Sequence, residues 1–411
     1  MLKRISAIAL ITMLSASLVA CSSSTSSTAS SSQASSQTTS KSSAEASNTS
    51  ADSSSVFTDR DLSQTADTSN AKSITLSDGK DVSITEAGVY TISGTAKNVS
   101  IIVDAADDAK VQLVLENANI TNTDSPCVYV KNADKVFVTT SNGSENTLTV
   151  SGSFTADGDT KTDAVIFSKD DIVLNGEGKL NISSTDNGIS GKDDIKITGG
   201  TIIISCTADA VEANDSISVA DGNITINTQK DGFHAENDED NTQGSIYISS
   251  GTFDITAGSD GIQATTTLVI DGGTFNISSA EGLEATNVTI NDGSITISAS
   301  DDGINASSKS TALSVCVTIN GGNIKITMGQ GDTDGIDSNG DLYITGGTID
   351  ITGQSTCDYD GKAEKTGGTL IINGQETDTI PNQMMGGRGG MGGPGGDMGG
   401  GPGGDMDGFR M

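Results

Sequence analysis

Between about residue 163 and residue 375, apolar residues recur in short alternating pairs divided by turn residues. Ile195/Ile197 and Ile202/Ile204 flank Gly199-Gly200. Leu268/Ile270 and Phe275/Ile277 flank Gly272-Gly273, and Leu342/Ile344 and Ile349/Ile351 flank Gly346-Gly347. Alternation of period two marks strands, and the Gly pairs mark the turns between them. Each block opens on an acidic or amide residue: Asp163, Asn187, Asp209, Asp231, Asp260, Glu281, Asp302 and Asp334. A Gly or Ala and then an apolar residue follow every one. Uninterrupted blocks run 21–24 residues; two longer ones, of 29 and 32 residues, carry insertions at the same point. No 3.6-residue pattern runs through the region, which excludes a helical repeat. A block of three short strands cannot bury its apolar face alone, whereas stacked copies can. The pattern predicts an all-β fold, a right-handed parallel β-helix whose three-strand coils hold about 21–24 residues.

Within that register Phe253 and Phe275 share a column with Ile202, Ile224 and Ile295, so they belong to the core. Ala213, Ala235, Ala264, Ala285 and Ala306 form a second inward column, at a corner that admits only a small side chain. The repeats are expected over residues 156–375. Residues 73–155 are strand-like but less regular and are read as an N-terminal β cap with the first irregular coils, which an open solenoid end requires.

The flanks carry no such pattern. Residues 1–20 hold Lys3, Arg4 and an apolar stretch, and end in Leu18-Val19-Ala20-Cys21, the form of a bacterial lipoprotein signal with Cys21 as the acylated residue. An exported protein, lipid-anchored on the extracellular face of the cell membrane, is expected. Residues 21–72 are read as a Ser/Thr-rich disordered linker and residues 376–411 as a Gly/Met-rich disordered tail. The formal net charge of −32 excludes nucleic acid as a partner and favours divalent cations. Cys127, Cys206, Cys316 and Cys357 lack metal-ligand spacing and are expected as free thiols. A monomer is expected.

The run "ITEAGVYTISGT … VQLVLENANITN … SKDDIVLNGEGKLNI … DGIDSNGDLYITGGTIDI … DYDG" resembles the clostridial carbohydrate-binding β-helix family over roughly residues 73 to 375. The resemblance implies export, a pectate-lyase-like fold and bound calcium. It further implies recognition of acidic plant polysaccharide such as polygalacturonate or another pectin-like or cell-wall glycan, with cellulose as a further candidate and no established catalysis.

Stacking at ~4.8 Å per rung would place the heads Asp209, Asp231, Asp260, Glu281, Asp302 and Asp334 in one column. Three positions on, Glu212, His234, Gln263, Glu284, Asn305 and Asp337 would form a second, and both columns should face outward around one corner. The insertion "HAENDEDNTQG" adds Glu236, Asp238 and Asp240, and "GDTDGIDSNGD" adds Asp332, Asn339 and Asp341. Hard oxygen donors at this density suit Ca²⁺. The competing reading is that Asp-Gly is merely favourable turn chemistry.

The function classes separate on a few residues. Pectate lyases of the resembling kind use an Arg base, yet no Arg lies between Arg60 and Arg388. Lys230, Lys309 and Lys325 are the substitutes a lyase would need, and paired Asp for hydrolysis cannot be located from the sequence. An enzyme is therefore not expected, and a binding module leads over a surface adhesin or scaffold without glycan specificity. The chain has no Trp and five Tyr, so sugar stacking is a minor source of affinity. Tyr247, Tyr343 and His234 are the candidate carbohydrate contacts, and a calcium ion shared between Asp residues and a uronate would overcome the repulsion between acidic protein and acidic sugar.

Overall fold

The computed structural model describes residues 56–331 and 333–383. The expected signal peptide, Cys21, most of the linker, Asp332 and the tail from residue 384 lie outside the described residues.

Each repeat supplies three strands, and each strand pairs in parallel with its counterpart in the next repeat. The head ladder runs from Val82–Ile84 to Cys357–Tyr359 and includes Val211–Ala213, Phe233–Ala235, Asp260–Ala264, Glu281–Ala285, Ile304–Ala306 and Ile336–Ser338. A middle ladder takes the strands before the Gly turns, such as Ser245–Ile248 and Thr267–Ile270. A closing ladder takes the strands after them, such as Thr252–Thr256 and Thr274–Ser279. Three parallel ladders with this connectivity make a coiled β solenoid, as the two-residue alternation requires.

The register matches the sequence pattern. Ile224, Phe253, Phe275 and Ile295 are successive partners, and Phe253 and Phe275 stack with centroids 4.5 Å apart and planes 4° from parallel. Ala213, Ala235, Ala264, Ala285 and Ala306 are fully buried. The first coils differ because they lack the Gly pair. Gly88–Lys97 and Lys110–Asn122 run unbroken through the position where later coils turn, and the bend is absorbed by a register shift between Ile92 and Gly94 and by Asn117 at φ 60°.

Two boundaries move. The linker expected as far as residue 72 ends before Val56, because residues 56–64 form a strap packed on the outer face of the middle ladder. Phe57 is buried against Tyr247, Arg60 lies 4.3 Å above the Phe137 ring, and Gln64 accepts from the Gly176 N–H (2.9 Å) and donates to the Thr198 carbonyl (2.8 Å). Asp61 is fully buried between Lys135 and Lys196, each 3.6 Å away. At the other end Gln375–Thr377 pairs antiparallel with Thr369–Ile372, and Gln383 accepts from the Thr356 N–H, so the tail begins later than residue 376. All four cysteines within the described residues are free thiols, as expected.

Candidate functional site: carboxylate columns on the head ladder

The residues three positions after the heads form one row. Glu212, His234, Gln263, Glu284, Asn305 and Asp337 are successive cross-strand partners. The heads stand in line beside them, and several are tied to the next rung by their own side-chain oxygens. Asp209 N–H donates to Asn187 Oδ1 (2.8 Å), Asp231 N–H to Asp209 Oδ1 (3.1 Å), Asp260 N–H to Asp231 Oδ1 (2.8 Å) and Asp334 N–H to Asp302 Oδ1 (2.9 Å). At these rungs a side-chain oxygen thus caps the next rung's amide. The heads do not lie open on an outward corner as expected: Asp209, Asp231 and Asp260 are buried and Glu281 and Asp302 half-buried, because each rung covers the one beneath.

The glycine after each head has a spatial cause. A Cβ on Gly282 would meet the Gly303 carbonyl oxygen at 2.3 Å and Ile297 Cγ2 at 2.7 Å. Asp-Gly here is therefore rung stacking within a strand rather than the turn chemistry that was the competing reading. The turn glycines are the second members of the Gly pairs, such as Gly273 at φ 109°.

The columns divide into three groups. In the first, His234 Nδ1 faces Asp209 Oδ2 (3.3 Å) and Asp231 Oδ2 (3.7 Å), and Nε2 faces Glu236 Oε2 (3.0 Å). Burial disfavours the imidazolium, but the Asp209 hydrogen bond and charge, with Asp231 and Glu236, prevail and raise its pKa to about 9. Glu212 accepts from Asn187 Nδ2 (2.8 Å) and Ser190 Oγ (3.0 Å). In the second, the carboxylates of Asp260, Glu281 and Glu284 lie within 4.8 Å of one another, and Lys309 Nζ lies 2.8 Å from Glu284 Oε2. Burial, and then neighbouring carboxylates, lift Asp260 well above its usual range and Glu281 to about 7.

The third group is Asp302, Asp334 and Asp337. Burial comes first, and then the charges of Asp302, Asp334, Asp358 and Asp360, in raising Asp337 to about 7. Asp302 rises to about 6 through burial and then Asp301, Asp334 and Glu284, against the Asp334 amide that it accepts. Asn305 adds a donor. Its Nδ2 donates to Glu281 Oε2 (2.9 Å), and its buried carbonyl oxygen has no hydrogen-bond partner. A buried acceptor without a donor, together with three carboxylates, supplies oxygen donors alone, the ligand type of a hard cation.

Several expected residues stand elsewhere. Asp238 and Asp240 are exposed on the first insertion, where Asp240 caps the Thr242 amide (3.0 Å), and neither joins the column. Asn339 and Asp341 lie in the loop and strand beyond Ile336–Ser338 rather than among the heads. Tyr247 is no sugar platform: Phe57 covers it, and its hydroxyl donates to Asp271 (2.8 Å). Tyr343 is half-exposed, with Lys362 Nζ 5.5 Å from its ring. Missed by the pattern was a fourth acidic group, Asp171, Asp193 and Asp194, at the start of the middle ladder. Its signal is the doubled Asp of "SKDDIV" and "GKDDIK" at one register offset. Burial, and then Asp171, Asp194 and Asp215, push Asp193 up to about 7.

A family model described as "Carbohydrate-binding domain-containing protein" matches residues 78–335 and 278–383. A curated protein of the same description from Acetivibrio thermocellus is 41% identical over 126 residues, 30% of this chain and 44% of that protein. The match thus spans less than half the length of this relative. Among solved structures, a polysaccharide lyase-like protein from C. thermocellum, as its gadolinium derivative, is similar with a TM-score of 0.41 and 26% identity, covering 73% of this chain and 96% of that one.

Proposed function

Because the chain belongs to the carbohydrate-binding domain family, matched from residue 78 to residue 383, we propose that it binds acidic polysaccharide of the polygalacturonate or pectin type with the help of Ca²⁺. The observation that carries the calcium reading is the third carboxylate group, Asp302, Asp334 and Asp337, together with Asn305, the cross-strand partner of Asp337, whose buried carbonyl oxygen has no hydrogen-bond partner. Those residues would hold the ion, and Glu281 and Glu284 border them. When bound, calcium would neutralise the column and offer remaining coordination positions to a uronate carboxylate. Attachment through an acylated Cys21 would place the solenoid at the outer surface of the cell.

Binding without catalysis is the reading the side chains favour. Burial lowers the basicity of Lys309, but the Glu284 hydrogen bond and charge, with Asp260 and Glu281, outweigh it and hold the ammonium protonated. A lyase base must give up that proton. Lys230 and Lys325 are exposed. A glycan array probed with and without Ca²⁺ tests the proposal: polygalacturonate and pectic oligomers should be retained in calcium and released by chelator. Retention of neutral glycans alone, or of none, would contradict it.

A further inference from the structure

The two insertions differ in what they bring to the columns. The second, in the 32-residue repeat between Asp302 and Asp334, lies between Ile304–Ala306 and Cys316–Ile319. It is anchored on the neighbouring coil: the N–H groups of Lys309 (3.2 Å) and Ser310 (2.8 Å) both donate to Thr286 Oγ1, and Thr286 is fully buried. Ser307 N–H donates to the Ala285 carbonyl (3.1 Å), and Ser307 Oγ to Glu284 Oε1 (2.9 Å). These contacts fix where the Lys309 side chain can go.

Its ammonium ends between Glu284 Oε2 (2.8 Å) and Gln263. With the Gln263 amide oriented to satisfy both neighbours, its oxygen accepts from Lys309 Nζ (2.9 Å) and its nitrogen donates to Asp260 Oδ2 (3.1 Å). Asn305 Nδ2 serves Glu281. Every acid of the second group therefore already has a donor from the protein: Asp260 from Gln263, Glu281 from Asn305, Glu284 from Lys309 and Ser307. Their ligand oxygens nonetheless lie within 4.8 Å of one another, close enough to share one ion. A calcium ion needs six to eight oxygens at ~2.3–2.6 Å, and an ammonium 2.8 Å from Glu284 Oε2 competes with it for that carboxylate.

We propose that Lys309 is a built-in cation that occupies a divalent-ion position, so that the Asp260–Glu281–Glu284 group takes no metal while the insertion is docked. The inference rests on the reading of the columns as cation-binding, and it makes Lys309 the residue that sets how many ions the solenoid holds. It also predicts that any bridged glycan contacts metal on the Asp302–Asp334–Asp337 side of Lys309 and meets the lysine and its insertion at the neighbouring rung.

The test is the number of Ca²⁺ ions per chain by equilibrium dialysis and elemental analysis, for the wild-type protein and Lys309→Met, which keeps the apolar stem. The variant should bind one more ion than the wild type, and adding Glu284→Gln should return the count to the wild-type value. An unchanged or lower count in Lys309→Met overturns the inference. A wild type that binds no ion would instead defeat the calcium reading, whatever the variant does. A second measurement uses the wild type alone, in case the variant folds poorly. Amine acetylation of Lys309 should be slower than that of exposed Lys325 and unaffected by saturating Ca²⁺. Acceleration by Ca²⁺ would show the ion displacing Lys309 and would overturn the inference.

Discussion

At the scale of single residues, the repeated head does two jobs with two adjacent positions. The acid caps the next rung's amide, and the glycine lets the next rung lie against it. Gly282 shows the second job most sharply, since a methyl group there would sit 2.3 Å from a backbone oxygen that cannot swing away. Gly282→Ala should therefore cost about 1–3 kcal/mol of stability, the range for overpacking a filled site. Urea unfolding measures it, and a loss below about 0.5 kcal/mol, typical of a neutral surface change, would contradict the stacking argument. The periodicity of "DGI" was legible in the sequence, as were the inward Phe and Ala columns. Its cause was not, because Asp-Gly serves tight turns equally well and spacing alone does not tell a turn from a close approach of two rungs.

The acids carry a pH dependence whose direction follows from their shifts. Glu281, Asp302 and Asp337 hold protons in the folded chain up to about pH 7, 6 and 7, against about 4 when unfolded. The native state then binds more protons than the unfolded state between those values, so stability falls as pH rises. His234 acts with the same sign: its folded pKa is raised to about 9, so its contribution is complete below about 6.5 and lost as pH rises through 9. Chelated protein should melt at a lower temperature at pH 8 than at pH 5. A melting temperature that is flat or rising across that interval in chelator would contradict the burial and crowding assigned to these carboxylates.

At the scale of elements, the ladders follow from alternation, but the strap does not. "VFTDRDLSQT" has no alternating face; it is held by separate anchors, Phe57 on Tyr247, Asp61 between two lysines and Gln64 across two rungs. A method that reads repeating faces assigns such a segment to the neighbouring linker. The same segment decides the fate of Tyr247, which strand register alone places outward and which the strap then covers. Asp61→Ala should be costly because it leaves Lys196, only 13% exposed, without its carboxylate, while Lys135 keeps Asp171 at 3.3 Å. The expected loss is about 3 kcal/mol, the lower end for breaking a buried pair. Chemical denaturation reads it, accompanied by new exposure of Tyr247. An unchanged midpoint would mean that the strap rests on the solenoid without holding it.

At the scale of the whole molecule, a strongly acidic chain gathers three of its four close acidic groups along the head ladder. Two of these groups carry their own cation, His234 or Lys309, and the third presents carboxylates together with an unpartnered amide oxygen. That the columns exist could be read from the spacing of the heads. Which segments are already neutralised could not, because Lys309 arrives on an insertion and the orientation of Asn305 depends on contacts with the rung before it. A divalent ion shared between this surface and an acidic glycan is the step on which the proposed binding depends. It is tested most directly by calorimetric titration of polygalacturonate oligomers into the protein, in calcium and again in excess chelator, with Asp302→Asn/Asp337→Asn alongside. Saturable binding is expected in calcium, lost in chelator and weakened at least tenfold in the double variant. Binding of equal strength in calcium and in chelator would contradict it.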